Sequence, residues 1–245
     1  VIGHGVPTLY YTFSGLEALG VAHATTTRHF PGVRAFGDEA SPFAAEARTA
    51  LMPAGLDLEG AAYARQVHGI ERARVRQGGR AGSVDILVTV ERALPLAIST
   101  ADCLAIIASD LEAPALVVAH VGWRGTVQGG AAATVKALTD AGGRLERARV
   151  AIAPSIGPCC YEVDEPVVAR FREAFPRDWE RWARPGRPDH WMLDLWSANE
   201  DELAAAGLPR AAIENARLCT ACYPELFYSY RKGHRGRLVT VAALP

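Results

Sequence analysis

His68, Cys103 and His120 are the residues in this sequence whose types together suit chemistry. They stand in R-Q-V-H-G (65–69), S-T-A-D-C-L (99–104) and A-H-V-G-W-R-G-T (119–126), each where a β-rich run gives way to a turn or the next strand. Two imidazoles and a thiolate can hold zinc and leave a fourth tetrahedral position open for water or substrate, which is how a catalytic site differs from a structural one. The three lie far apart in the chain and form no short-range motif such as H-E-x-x-H. On spacing alone they read as two strand-end histidines and a buried core cysteine.

The neighbours of His120 add to the chemistry. Gly122 and Gly125 allow a sharp turn. A helix opening near Thr126 would aim unpaired N–H groups back at that turn and form an anion site. Arg124 in the turn and Arg65 before His68 would suit phosphate, though Arg124 reads equally as a solvent-facing residue. Trp123 is a core plug or a stacking surface for a flat ligand. A Cys103–His120 nucleophile–base pair with Asp102 nearby would instead describe a cysteine hydrolase, which metal removal would distinguish.

A second set of thiols lies in C-T-A-C (219–222) and in the adjacent Cys159 and Cys160. Four cysteines could form a structural zinc site, but neighbouring residues do not easily place both sulfurs on one tetrahedron, and a second C-x-x-C is missing. Reduced structural thiols are the simpler reading, and no strand-to-helix setting supports thioredoxin-like chemistry.

The elements that must position these residues are dense strands: 62–67, 86–90, 94–100, 104–108 and 115–121, with little room for helices between them. That density argues against a doubly wound parallel sheet. Ser41-Pro42 predicts a helix through about Ala50, and Thr126 predicts one through Leu138, closed by Gly142-Gly143. Residues 149–153 read as a strand, Asp164 caps a helix ending near Pro176, and Asp194 opens one ending at Gly207. Residues 227–230 and 238–242 read as two further strands around R-K-G-H-R-G-R. The expected class is α+β in a single domain over residues 1–245.

Composition narrows the field of partners. The chain has 245 residues, 49% hydrophobic and 22% charged, with a formal net charge of -1. That balance shows no bias toward nucleic acid or an anionic membrane. No apolar run reaches the ~18 residues of a membrane span, and no secretory signal is visible. Five cysteines, an odd count, argue for a reducing compartment, and the cytoplasm is the expected location.

Taken together, the blocks resemble one bacterial family. It is the group once called multicopper polyphenol oxidoreductases or laccase-like proteins, now described as purine nucleoside phosphorylases and, in some members, as a peptidoglycan editing factor. The matching stretches are R-Q-V-H-G, V-D-I-L-V-T, T-A-D-C-L, A-H-V-G-W-R-G-T, I-G-P-C-C-Y-E-V, and L-C-T-A-C through F-Y-S-Y-R with Gly236-Arg237, in family order from about residue 20 to the end. The resemblance implies a four-layer α/β/β/α sandwich with mixed sheets and zinc on His68, Cys103 and His120. It implies phosphorolysis of adenosine, inosine and 5′-methylthioadenosine (a transferase reaction) and adenosine deamination (a hydrolase reaction).

Zinc would lower its water's pKa toward ~7 for attack on C6 of adenine. Arg65, Arg124 and Arg237 would hold phosphate, Asp102 would shuttle a proton, orient a ligand or serve structurally, and Arg65, Asp102 and Cys103 are the candidate catalytic residues. Expected partners are purine nucleosides and phosphate, with no nucleic acid or membrane, on a monomer or small homo-oligomer. The chain departs from the family pattern at Ala105, where Pro is usual, and over residues 25–38, which puts substrate preference in question. Rival readings use the same trio: a copper-dependent polyphenol oxidase, since copper outcompetes zinc at most such sites, an amidase editing cell-wall peptides, or a metal-stabilised binding protein. With seven histidines and no H-x-H pair, the several coppers of a four-electron oxidase lack ligands.

Overall fold

A computed structural model describes residues 1–33, 36 and 42–245. Two large sheets dominate. The first runs β1 (Ile2–His4), β2 (Tyr10–Thr12), β3 (Ala22–Thr26), β16 (Leu238–Ala243), β8 (Leu96–Thr100), β4 (Ala62–Tyr63), β6 (Gly79–Arg80). The second runs β15 (Ile213–Asn215), β11 (Arg149–Ile152), β9 (Leu104–Asp110), β10 (Ala115–Val121), β7 (Ile86–Thr89), β5 (Arg72–Arg74). A small third sheet holds β12 (Glu162–Asp164), β14 (His190–Leu193) and β13 (Ala183–Pro185). The helices are α1 (Ser14–Glu17), α2 (Ala45–Leu51), α3 (Trp123–Val127), α4 (Gly130–Asp140), α5 (Glu165–Ala174), α6 (Trp179–Trp182) and α7 (Leu195–Ala205). Both large sheets are mixed: β4 pairs in parallel with β8, and β5 with β7, among antiparallel neighbours.

The layering follows from the two-residue period of strands. In β9, Leu104, Ile106 and Ala108 join the core under α4 and α7, while Ala105 and Ile107 face the other way. In β10, Leu116 and Val118 also face the second core, where they meet Leu96 and Ile98 of β8. A third core lies on the far face of the first sheet, where Ala97, Val239 and Val241 pack against Ala47 and Leu51 of α2. Three cores between four layers make an α/β/β/α sandwich. Strands buried on both faces need continuous apolar sequence, which A-L-V-V-A-H-V and L-A-I-I-A-S supply.

Several expected elements change. The strand expected over 62–67 stops at Tyr63, because the Gln66 side chain replaces the backbone ladder. Its amide donates to the Ser99 carbonyl at 2.7 Å and accepts from the Ser99 N–H at 2.8 Å, freeing the main chain to turn away. The helix expected at Ser41-Pro42 begins at Ala45, since Phe43 still pairs with Val33 in an extended bridge; Ser41 itself lies outside the described residues. The helix expected from Thr126 starts three residues earlier at Trp123 and breaks at Gly129, whose φ is +82°. Thr126 is therefore not its cap but lies within α3, its hydroxyl donating to the Gly122 carbonyl. The Gly142-Gly143 stop is as expected, with the Gly143 N–H reaching back to Leu138. Asp194 caps α7 by accepting from the Ser197 N–H at 3.0 Å. Residues 227–230 form no strand: Phe227 and Ser229 are buried and Tyr230 is exposed, but that alternation has no partner strand and the segment is held by turns.

Ile107 sits wholly buried between the two sheets. Ile107→Ala should cost about 2–5 kcal/mol in urea unfolding, the range for truncating a buried aliphatic side chain. A loss below about 1 kcal/mol would mean the sheets do not share a tight core.

Candidate metal centre and its arginine-lined cleft

The site lies at one end of the core between the sheets. His120 shares the face of β10 that carries Leu116 and Val118, so strand alternation turns its ring toward the first sheet. Register then supplies its partner. Ala119 pairs with Ile86, and the His120 N–H donates to the Asp85 carbonyl at 2.8 Å, which places Asp85 directly across from His120. The Asp85 carboxylate accepts from His120 Nδ1 at 2.7 Å. With Nδ1 so engaged, Nε2 is the nitrogen left for a metal.

Asp85 does more than orient that ring. It is completely buried, and its oxygens also accept backbone N–H groups from Val67 (3.2 Å), His68 (3.0 Å) and Gly69 (2.8 Å). These bonds wrap the 67–69 loop around the carboxylate and hold His68 at φ +62°, a left-handed conformation unusual for a residue other than glycine. Burial pushes the Asp85 carboxyl up, but His120 and the loop N–H groups outweigh it, and the group stays ionised.

Cys103 arrives from a second strained turn. Asp102 has φ +91°. Its carboxylate accepts from the Thr220 hydroxyl at 2.6 Å and the Arg231 N–H at 2.7 Å, and its carbonyl from the Ile156 N–H at 2.9 Å. Both Asp102 oxygens thus anchor the turn, and the carboxylate that orients His120 is Asp85.

The ligand atoms of His68, Cys103 and His120 all lie within 4.8 Å of one another, with the two rings edge-on at 4.9 Å. A Cβ on Gly122 would come within 2.8 Å of Cys103 Sγ, so only glycine leaves the thiol its place. Burial raises the Cys103 thiol, yet the two histidines bring it down to about 6. Burial lowers His120, but Cys103 and Asp85 push it up to about 9. Each group thus draws the other toward its charged form, and a bound cation would take the place of the proton they share. The donor set, the glycine notch and the carboxylate behind one imidazole all fit a zinc-type ion.

The trio opens into a cavity of about 820 Å³. Its walls carry all three sequence-derived arginines, Arg65, Arg124 and Arg237, together with Arg231 and Arg235. Among the described residues Asp102 is the one acidic group in the lining and is already bonded, so the described walls are strongly positive. Arg124 stacks over Trp123 at 4.6 Å and Arg231 over Tyr161 at 5.1 Å. Since α3 has five residues, the anion-binding character expected of a longer helix falls to these side chains. From the divergent segment 25–38, Val33 and Phe36 reach the cavity wall; residues 34, 35, 37 and 38 lie outside the described residues.

Residues 20–245 match the family described as multi-copper polyphenol oxidoreductase laccase. The chain belongs to that laccase family. A purine nucleoside phosphorylase of Deinococcus radiodurans is 36% identical over 245 aligned residues, spanning 93% of this chain and 90% of that protein. Adenosine deaminase RL5, from an unknown prokaryotic organism, is 32% identical over 206 residues, covering 80% of this chain and 79% of its own. The crystal structure of YlmD from Geobacillus stearothermophilus superposes with a TM-score of 0.86 at 29% identity, covering 99% of this chain and 98% of that one.

Within this laccase-family site, sequence reasoning missed Asp85, Gln66, Tyr161, Arg231 and Arg235. A signal existed for Asp85, a lone carboxylate at the head of the apolar strand V-D-I-L-V. The arginines sat in a basic loop with nothing to say which way it folds. Asp85→Asn should weaken metal binding about 10–100-fold, the usual cost of losing a carboxylate behind a ligating histidine. Chelator competition measures this, and unchanged affinity would remove Asp85 from the account.

Proposed function

We propose that this protein is a zinc-dependent purine nucleoside enzyme, splitting adenosine, inosine and 5′-methylthioadenosine with phosphate and deaminating adenosine. The observation that carries the reading is the opening of the His68–Cys103–His120 group directly into a cleft with five arginines and flat aromatic walls. The names of the relatives, purine nucleoside phosphorylase and adenosine deaminase, support it.

His68, Cys103 and His120 would hold the ion, which when bound supplies a Lewis acid and a water ionising near pH ~7. Arg65, Arg124 and Arg237, with Arg231 and Arg235 beside them, hold phosphate through paired charge-assisted hydrogen bonds. Trp123, Tyr161 and Phe36 offer faces against which a purine packs. In phosphorolysis a phosphate oxygen bonds to the ribose anomeric carbon while the bond to the purine nitrogen breaks, and the purine leaves carrying the electron pair and then a proton. In deamination a water oxygen replaces the C6 amino group and ammonia departs. Asp102 acts as a positioning residue, fixing the turn that presents Cys103. Free cysteines throughout fit a reducing cytoplasm, and among the described residues no helix is long and apolar enough to cross a membrane.

Copper-dependent oxidation of phenols is the weaker reading. It needs further histidine ligands, and among the described residues His68 and His120 are the histidines that share a metal-ligating group.

The test is chromatography of adenosine incubated with zinc-loaded protein, with and without phosphate. Adenine and ribose 1-phosphate should form only with phosphate, and inosine without it. His68→Ala should abolish both, and Arg65→Ala should raise the phosphate KM about tenfold or more, the cost of one charged hydrogen bond. Absence of all three products would defeat the proposal.

A further inference from the structure

Away from the arginine-lined cleft, a second group of donors converges that the proposed reaction does not use. The Sγ atoms of Cys159, Cys160, Cys219 and Cys222 all lie within 4.8 Å of one another. Cys222 Sγ is 3.3 Å from that of Cys159 and 3.4 Å from that of Cys160. Four thiolates on one zinc at Zn–S ≈ 2.3 Å have sulfurs about 3.8 Å apart, whereas a disulfide requires about 2.05 Å. The separations of 3.3 and 3.4 Å are far too long for a disulfide and fall about half an ångström short of the spacing a shared zinc would set.

The local backbone explains how neighbouring cysteines can share it. Cys159 and Cys160 lie in a tight turn, where the N–H groups of Cys160 and Tyr161 both donate to the Gly157 carbonyl at 3.0 and 3.1 Å. In a helical turn, successive side chains diverge by about 100° rather than the 180° of a strand. Both sulfurs therefore reach the same side. The C-T-A-C segment turns likewise, with the Cys222 and Tyr223 N–H groups donating to the Cys219 carbonyl at 3.1 and 3.2 Å. The two turns are laced together, Cys219 bridging to Ser155 and the Gly157 N–H donating to Cys219 Sγ at 3.3 Å, the kind of bond that stabilises a metal-bound thiolate. Cys219 is buried while Cys159 and Cys222 are exposed, so the cage is open to an incoming ion from one side.

We infer that Cys159, Cys160, Cys219 and Cys222 form a second, structural zinc site that clamps the 157–161 turn to the 219–222 turn. Its position gives it a purpose. Thr220, between two of the ligands, bonds Asp102 and so helps fix Cys103, and Tyr161, next to Cys160, lines the cleft. The cage stiffens one wall of the active site and contributes no open coordination position.

Metal content of the purified full chain, prepared under reductant and measured by mass spectrometry, tests the assignment. Two zinc ions per chain are expected, falling to one in His68→Ala and to one in the double variant C219S/C222S. A single zinc in the wild type, lost in His68→Ala, would overturn the proposal. Because the cysteine variant can fail to fold, a second measurement uses the wild type loaded with cadmium. Its cadmium NMR spectrum should show two resonances, one of them at the shift of a four-sulfur site, and a lone resonance from mixed nitrogen and sulfur ligands would overturn it. Thiol titration of the denatured, metal-stripped chain should count all five cysteines. A shortfall of two would instead assign the cluster to a disulfide.

Discussion

One buried carboxylate holds the site together. Asp85 gathers four donors: three consecutive backbone N–H groups of the 67–69 loop and the Nδ1 of His120. A charge this deep would be costly alone, and here it is matched bond for bond. The same anion fixes one candidate ligand, His120, through its side chain and another, His68, through its main chain. It also balances the strain of His68, whose left-handed backbone is held in place by the N–H groups on either side of it. Cys103 is presented by a parallel device in which Asp102, itself left-handed, is tied to Thr220 and Arg231. Both anchors are carboxylates one step removed from the ligand atoms.

The sandwich makes this possible by geometry. Two sheets buried on both faces give strands whose register cannot slip, because a one-residue shift would send every apolar side chain to the wrong core. The pairing of β10 with β7 therefore delivers His120 and Asp85 to each other at the end of the inter-sheet core. There the apolar layer stops and the arginine-lined cleft begins. The two strands supply the rigid scaffold, and the turns and loops beyond their ends supply the polar mouth.

Much of this was legible in the sequence, and the failures have physical causes. The long apolar strands β9 and β10 stand out because burial on both faces leaves a continuous run; their density speaks against a doubly wound parallel sheet, while the α/β/β/α class is what the family resemblance implies. His68, Cys103 and His120 were picked out by type and by the family resemblance, and the fold brings them together. Asp85 escaped because its role depends on cross-strand register, which periodicity does not encode. The strand expected over 62–67 broke early because a Gln66 side chain imitates a peptide, a substitution no propensity scale records. Residues 227–230 alternate like a strand yet pair with nothing. The convergence of the four cysteines is not legible from their spacing, which lacks a second C-x-x-C and places two of them side by side; the turn at 157–161 is what brings the adjacent sulfurs to one place.

We propose that Asp85, the metal trio and the arginine cleft work as one unit. A crystal structure of the zinc-loaded protein with inosine bound tests it most directly. Zinc is expected on His68, Cys103 and His120, with Asp85 still bonded to His120 Nδ1 and the nucleoside between the metal and the arginines. Metal ligated by Asp85 itself, or a nucleoside seated outside this cleft, would contradict it.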